Sequence, residues 1–389
     1  MPFSKFMGGC YYHLVRKLDK FSWVKMGRDG RQEIVSDLPE PIKLNEKKLS
    51  RIILPEGIGN YHSAVDLILR IREVISLPFH FTNRIHLNFA SLYTFATWFF
   101  DLHPELGYIG ITAPPESGKT CLLDTLGEVV YCGCRISGSI TEAAFFRIID
   151  DFQSTILMDE AQRDTSNAND RYHKVWTDGI SFNGAVSLTG KDKFGNFEPE
   201  FYNVFCPKIS SARQLSEDEA ILSRTFKIEL DQIDAKYIPK FKTTDAEWQQ
   251  MAANLRNDLL VYRQKRLNGL IDLSTNCDTA YVKKLNLGPR EIQIYSWIFS
   301  ECPKILGADL LEAIEYQRDA KREDLLISLD SEVLMAAYKL SKTTNTVFLK
   351  AITEELKEPH PDLDSKRVAK ILRANKLKPE RLTDGYAIL

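Results

Sequence analysis

An α/β fold built on a parallel sheet is the class this sequence predicts, and three observations carry that expectation. The segment from about 106 to 230 alternates strand-like and helix-like pieces, the pattern of a parallel sheet with helices on both faces. Within it, the apolar strand Tyr108 to Thr112 passes through a glycine-containing loop straight into a helix, Thr120 to Val130, whose Leu122, Leu123, Leu126 and Val129 recur with helical period. A second apolar strand, Ser154 to Met158, ends in two carboxylates, Asp159 and Glu160.

The flanking segments read differently. Residues 1–60 alternate short apolar runs with turn signals, such as Phe21-Ser22-Trp23-Val24 before Gly27-Arg28-Asp29-Gly30, and predict a small β-rich segment. From Tyr61 the spacing turns helical, with Val65, Leu67, Ile68, Ile71, Val74 and Ile75 on one stripe and a second helix from Leu87 to Leu102. Ser139 followed by Glu142, just before Ala143-Ala144-Phe145-Phe146, fits a capping box that starts another helix. Residues 231–327 read as helical throughout, and 328–389 as three helices and a terminal strand. The expected organisation is therefore 1–60, 61–230, 231–327 and 328–389.

Composition narrows the class. A chain of 389 residues supports two to three domains with cores of their own. With 44% hydrophobic and 27% charged residues it is neither disordered nor fibrous in character. Apolar runs such as Leu92 to Phe100 fall far short of the roughly 20 residues a membrane span needs. The first residues also lack a secretory pattern, so a cytoplasmic protein without a membrane partner is expected. Seven cysteines at irregular spacing offer no zinc motif and are expected as reduced thiols. The net charge of -2 is an average over unequal parts and does not decide for or against nucleic acid.

The most specific motif is Ala113-Pro114-Pro115-Glu116-Ser117-Gly118-Lys119-Thr120, which follows a strand and opens a helix. This is a Walker A loop in its proper context, with Ala113 standing where the first glycine usually does. In such a loop backbone N–H groups and the helix N-terminus converge on phosphate, Lys119 reaches the β- and γ-oxygens, and the Thr120 hydroxyl ligates Mg²⁺. ATP and Mg²⁺ are the cofactors it predicts.

Thr155-Ile156-Leu157-Met158-Asp159-Glu160 reads as the matching Walker B element. A buried strand places Asp159 at the metal, and Glu160, one residue on, polarises the attacking water. Further along, Arg224 in Leu222-Ser223-Arg224-Thr225-Phe226 precedes another strand, where a ring-forming ATPase places a finger onto a neighbour's γ-phosphate. Arg290, at the start of a helix after Gly288-Pro289, reads either as a second phosphate sensor or as a plain surface arginine.

Taken in order, the Ser139 to Gln162 stretch and the Leu222 to Phe226 piece resemble the AAA+-related helicase domains of phages, plasmids and other mobile elements, relatives of the minichromosome-maintenance helicases. Asn203-Val204-Phe205-Cys206-Pro207-Lys208 is similar to the strand approaching sensor 1, for which Ser210 and Ser211 are both candidates. Lys378-Pro379-Glu380-Arg381 with Gly385-Tyr386 resembles the last turn of a winged helix. The resemblance covers roughly 61–389. It implies an AAA+ type P-loop core, a helical lid over 231–327, a winged-helix-like domain over 328–389, a homo-oligomeric, hexameric ring and DNA as partner.

Two segments are candidates for gripping that DNA. Val186 to Phe197 reads as a hairpin with Lys191 and Lys193 near its tip, and in the resembled helicases a hairpin at this position points into the ring channel. Its plain reading is a solvated turn. The helix Asp364 to Lys376 carries Lys366, Arg367, Lys370 and Arg373 opposite Val368, Ile371 and Leu372, and seven Lys or Arg stand against three Asp or Glu from Asp364 to Leu389. That pattern fits a DNA-recognition helix or a basic face for a protein partner. The leading expectation is an ATP-dependent DNA translocase or helicase in replication of a mobile element. A DNA-binding initiator or loader and a protein-remodelling ATPase are the alternatives.

Overall fold

The computed structural model describes residues 2–18, 20–36, 46–159, 171–191, 197–212, 218–232, 239–327, 329–342, 346–360, 363–375, 377–382 and 385–388. The chain divides into two compact units, Met1–Ala313 and Ile314–Leu389.

The first unit opens with an antiparallel meander, β1 (Ser4–Met7), β2 (Cys10–Lys17), β3 (Lys20–Met26) and β4 (Gln32–Val35). Gly8 and Gly9, both at positive φ, turn β1 into β2 with Met7 opposite Cys10, the two-residue hairpin that only such residues close without strain. The meander docks onto the rest of its unit: the Ser4 and His13 side chains both reach the Tyr131 hydroxyl at 3.3 Å, and Gln264 donates to the Val24 carbonyl at 2.9 Å.

After a short turn of helix, α1 (Glu46–Leu49), come α2 (Ala64–Ser76) and α3 (Arg84–Thr97). Ser63 caps α2 by accepting from the Asp66 amide, and Leu67, Ile68, Ile71, Val74 and Ile75 are buried, as their spacing predicts. The second helix ends at Thr97 rather than Leu102 and gives way to a short 3-10 turn over Phe100–Leu102. There the Leu102 amide bonds the Phe99 carbonyl at 3.0 Å, and the Trp98 carbonyl accepts from the distant Arg263 guanidinium instead of a helical amide.

The core follows as β5 (Tyr108–Thr112), α4 (Lys119–Gly127), β6 (Cys134–Ser137), α5 (Glu142–Phe152), β7 (Ile156–Asp159) and α6 (Arg171–Thr177). It continues through β8 (Ala185–Lys191), β9 (Phe197–Asn203), β10 (Lys208–Ala212), α7 (Glu219–Leu222) and β11 (Thr225–Glu229). Five of these strands form a parallel sheet in the order β11-β5-β10-β7-β6. The chain leaves β5 in one direction across the sheet and returns to β11 on its other side, so a topological switch point lies beside β5, where such sheets place their ligands. Phe89 of α3 stacks on Phe226 of β11 at 3.5 Å between centroids, both buried, and so ties α3 to that sheet edge. The β8–β9 hairpin stands apart from the parallel sheet as a two-stranded ribbon, with Lys191 opposite Phe197.

Helix α5 does not begin on a capping box at Ser139. Thr141 is its N-cap, accepting from the Ala144 amide at 3.3 Å, while the Ser139 hydroxyl is engaged with Ser137 at 2.9 Å. The following region is also less continuously helical than its composition implies. Between α8 (Ala246–Leu267) and α9 (Thr279–Lys284) the chain turns at Gly269, φ 69°, and Asp272 accepts from both the amide and the hydroxyl of Ser274. Then come α10 (Pro289–Glu301) and α11 (Gly307–Ile327), within which the division between units falls.

The second unit continues through α12 (Leu329–Ser341), β12 (Val347–Phe348), α13 (Leu349–Glu355), α14 (Ser365–Ala374), β13 (Glu380–Leu382) and β14 (Gly385–Ile388). Its strands form a small antiparallel sheet in the order β12-β14-β13. Val333, Ile352, Val368 and Leu372 are fully buried in a core of this unit's own. Among the described residues no helix is long and apolar enough to cross a membrane.

Candidate functional site

The loop between β5 and α4 leaves the sheet at Thr112, the C-terminal end of its strand. Its shape comes from backbone chemistry. The buried Ser117 hydroxyl donates back to the Pro114 carbonyl at 2.7 Å, and Glu116 and Gly118 both adopt positive φ, 61° and 81°. Gly118 is the N-cap of α4 and supplies no capping side chain, so the amides of the first helical turn point out of the loop. Lys119 folds over it, donating to the Ala113 and Pro114 carbonyls at 2.8 Å each. Pro114, Pro115, Glu116 and Thr120 are exposed.

Asp159 ends β7, separated from β5 by one strand, β10. Its backbone is fixed by the Gly138 amide, which donates to the Asp159 carbonyl at 2.7 Å. Its carboxylate is divided between two sets of neighbours. Oδ1 accepts from the Ser211 hydroxyl at 2.7 Å, and Oδ2 accepts from Thr120 at 3.3 Å and from the Arg135 guanidinium at 2.7 Å. Burial pushes this carboxyl up, but the hydrogen bonds from Ser211, Arg135 and Thr120 together with the Arg135 charge outweigh it and hold the group below the usual carboxylate range. It is therefore an anion at neutral pH.

The sheet thus brings together Lys119, Thr120 and Asp159, and of the two adjacent serines in β10 it is Ser211 whose hydroxyl reaches Asp159. Arg135 was not singled out by the sequence. The signal was present in Cys134-Arg135-Ile136-Ser137, whose alternating burial puts Arg135 and Ser137 on one open face of an edge strand beside β7. Glu160 lies outside the described residues, as does Lys193.

No family model and no curated protein matches the chain. Among solved structures, the C-terminal region of phage NrS-1 is similar at 13% identity over 98% of this chain and 97% of that one, with a TM-score of 0.42. The JC virus helicase is similar at 11% identity over 55% of this chain and 63% of that one, with a TM-score of 0.28.

Two further arginines lie away from the loop. Arg224 sits between α7 and β11 with its carbonyl accepting from the Tyr108 amide at 2.9 Å and its guanidinium turned back to the Ala220 carbonyl. Burial, and after it the Arg290 charge, hold its pKa below the ordinary arginine value. Arg290 is exposed near the start of α10, bonded to Gln293, which in turn donates to Glu105 at 2.5 Å.

The remaining candidates are on separate surfaces. On the hairpin, Phe197 and Phe201 of β9 are 73% and 70% exposed, an unusual presentation of two large apolar side chains on one short strand. On α14, Lys366, Arg367, Lys370 and Arg373 are all exposed while Val368, Ile371 and Leu372 are buried, which is the two-faced helix its sequence predicts.

Proposed function

We propose that the chain is an ATP-dependent DNA translocase or helicase that works in replication of a mobile element. The observation that carries the reading is the convergence of Lys119, Thr120, Asp159 and Ser211 at the C-terminal ends of neighbouring parallel strands. The donor set fits a magnesium nucleotide. Uncapped amides at the start of α4 and the Lys119 ammonium suit phosphate oxygens. The Thr120 hydroxyl and the ionised Asp159 carboxylate are the hard oxygen donors that Mg²⁺ takes.

When bound, the magnesium nucleotide supplies the phosphoryl group to be transferred and a divalent charge on its oxygens. The protein's part is positioning and electrostatics. Lys119 would meet phosphate oxygens, Thr120 and Asp159 would hold the metal, Ser211 would fix the second Asp159 oxygen, and Glu160 would orient water. Arg224 supplies transition-state charge to a neighbouring copy in a hexameric ring, and Arg290 assists as a second sensor of phosphate.

DNA is gripped, in this reading, by the β8–β9 hairpin through Lys191 and Lys193, with the exposed aromatics of β9 available for stacking on bases. The second unit acts as a winged helix whose α14 lays Lys366, Arg367, Lys370 and Arg373 along the phosphate backbone, and residues 231–327 form the lid over the nucleotide. The test is ATP hydrolysis measured with and without single-stranded DNA, followed by displacement of a labelled strand. Stimulation together with displacement supports a helicase. Stimulation alone points to an initiator or loader, and turnover indifferent to DNA would remove nucleic acid from the reading.

A further inference from the structure

We propose that Arg135 sets the divalent-cation requirement of the loop site by competing with the cation for one oxygen of Asp159, an inference that rests on the nucleotide reading above. The geometry that points to it is the division of the Asp159 carboxylate. Ser211 holds Oδ1, so the oxygen left facing Thr120, the other hard donor, is Oδ2. That same Oδ2 accepts from Arg135 Nη2 at 2.7 Å. A guanidinium at hydrogen-bond distance and a doubly charged cation at about 2.0–2.1 Å from one carboxylate oxygen repel one another strongly, so occupation of one disfavours the other.

Arg135 also has somewhere to go. Its other terminal nitrogen pairs with Asp124 of α4, which lies one helical turn beyond Thr120 and therefore on the same face. The planar fork of arginine bridges both carboxylates at once, and releasing Asp159 leaves a complete pair with Asp124. Side chains of Arg135, Asp124 and Asp159 are 37%, 35% and 23% exposed, so the exchange needs no opening of the core. Arg135 is on this account a positioning residue: it holds Oδ2 of Asp159 beside Thr120, and it yields that oxygen to the cation while Asp124 retains it.

The two partners of Arg135 make opposite predictions. With the full chain and a fluorescent, non-hydrolysable ATP analogue, the readout is the Mg²⁺ concentration giving half-maximal binding. Arg135→Gln should lower that midpoint about three- to tenfold, the range expected of a charge-assisted hydrogen bond weakened by solvent. Asp124→Asn should raise it at least about twofold, because Arg135 then has only Asp159 to hold it. Arg135→Lys, which keeps the charge but loses the fork, should fall between wild type and Arg135→Gln. In EDTA, Arg135→Gln should bind the analogue no more tightly than wild type, which separates competition for the metal from a general change in charge. Midpoints equal to wild type in Arg135→Gln and Asp124→Asn, or shifts in the same direction, overturn the proposal while leaving the nucleotide reading intact. If wild type and Lys119→Ala bind the analogue alike, or wild type shows no Mg²⁺ dependence, the nucleotide reading itself falls and the proposal with it.

Discussion

Arg224 and Lys119 stand at opposite ends of the parallel sheet. The Arg224 carbonyl bonds the amide of Tyr108, the first residue of β5, whereas Lys119 follows the loop that leaves the last residue of that strand, Thr112. Four steps of about 3.3 Å separate the strand's ends by roughly 13 Å, more than an arginine side chain spans. Whatever phosphate Lys119 holds, Arg224 of the same copy does not touch it, and any role for Arg224 in hydrolysis must be exerted on another copy. Arg224→Ala should then lower turnover by at least about 10³ while nucleotide affinity stays within about twofold of wild type. Mixing it with Lys119→Ala should recover measurable turnover, since one variant keeps the intact loop and the other the finger. Assembled mixtures that remain inactive would make Arg224 a structural residue.

The loop's backbone makes a second prediction. Gly118 at φ 81° begins α4, and a Cβ there is strained by about 1–2 kcal/mol. Gly118→Ala should lower stability by that amount in chemical denaturation, and it should also lower nucleotide affinity, because the first amides of α4 are displaced. Lys119→Ala should lose affinity with no change in stability. Glu160→Gln should bind nucleotide as wild type does but stall turnover; wild-type rates in that variant would remove Glu160 from the mechanism.

The third prediction concerns pH. His13 is held down to about 3, chiefly by burial and then by the Arg263 charge, with Nδ1 donating to the Leu14 carbonyl at 2.7 Å. His86, held down to about 4 chiefly by burial, behaves alike. In the unfolded chain both titrate near 6.5. Between those values the unfolded state binds protons that the folded state does not, so stability falls as pH drops from about 6.5 toward 3. His13→Gln should flatten that slope in urea unfolding followed between about pH 6 and pH 4. An unchanged slope would show that His13 titrates normally in the folded protein.

Local signals in the sequence were enough to place β5, the buried stripe of α2 and the loop between β5 and α4, because each depends on neighbours a few residues away. What escaped is non-local or depends on parity. Ser210 and Ser211 are adjacent on a strand and point to opposite faces, so the choice between them waits on the register of β10, which sets Ser210 opposite Met158. Arg135 gains meaning only when β6 lies beside β7. Ser139 and Thr141 both offer a hydroxyl just before α5, and the bond between Ser139 and Ser137 decides between them. The N-terminal meander reads as a separate segment because its partners, Tyr131 and Gln264, lie more than 100 residues away.

The last prediction separates the two surfaces assigned to DNA. The β8–β9 hairpin belongs to the first unit and α14 to the second, which has a buried core of its own, so substitutions on one need not disturb the other. Lys191→Ala with Lys193→Ala should leave basal hydrolysis near wild type, since neither residue is among the loop's ligands, while stimulation by single-stranded DNA is lost. Each phosphate contact removed should flatten the logarithmic salt dependence of binding by up to about one unit. Phe201→Ala, in the strand that returns from the tip, should weaken binding of a single strand by about 1–3 kcal/mol with little change in that slope, because stacking is not ionic. Neutralising Lys366, Arg367, Lys370 and Arg373 of α14 together should instead weaken capture of DNA, with its own reduction in salt slope, yet retain stimulated turnover at saturating DNA. The measurements are fluorescence anisotropy at several salt concentrations and hydrolysis across a DNA titration. Full stimulation and an unchanged slope in the double lysine variant would make the hairpin an ordinary surface turn and leave an ATPase without this grip. An unchanged slope in the α14 variant would return that helix to the plain amphipathic reading and turn attention to a protein partner for its basic face.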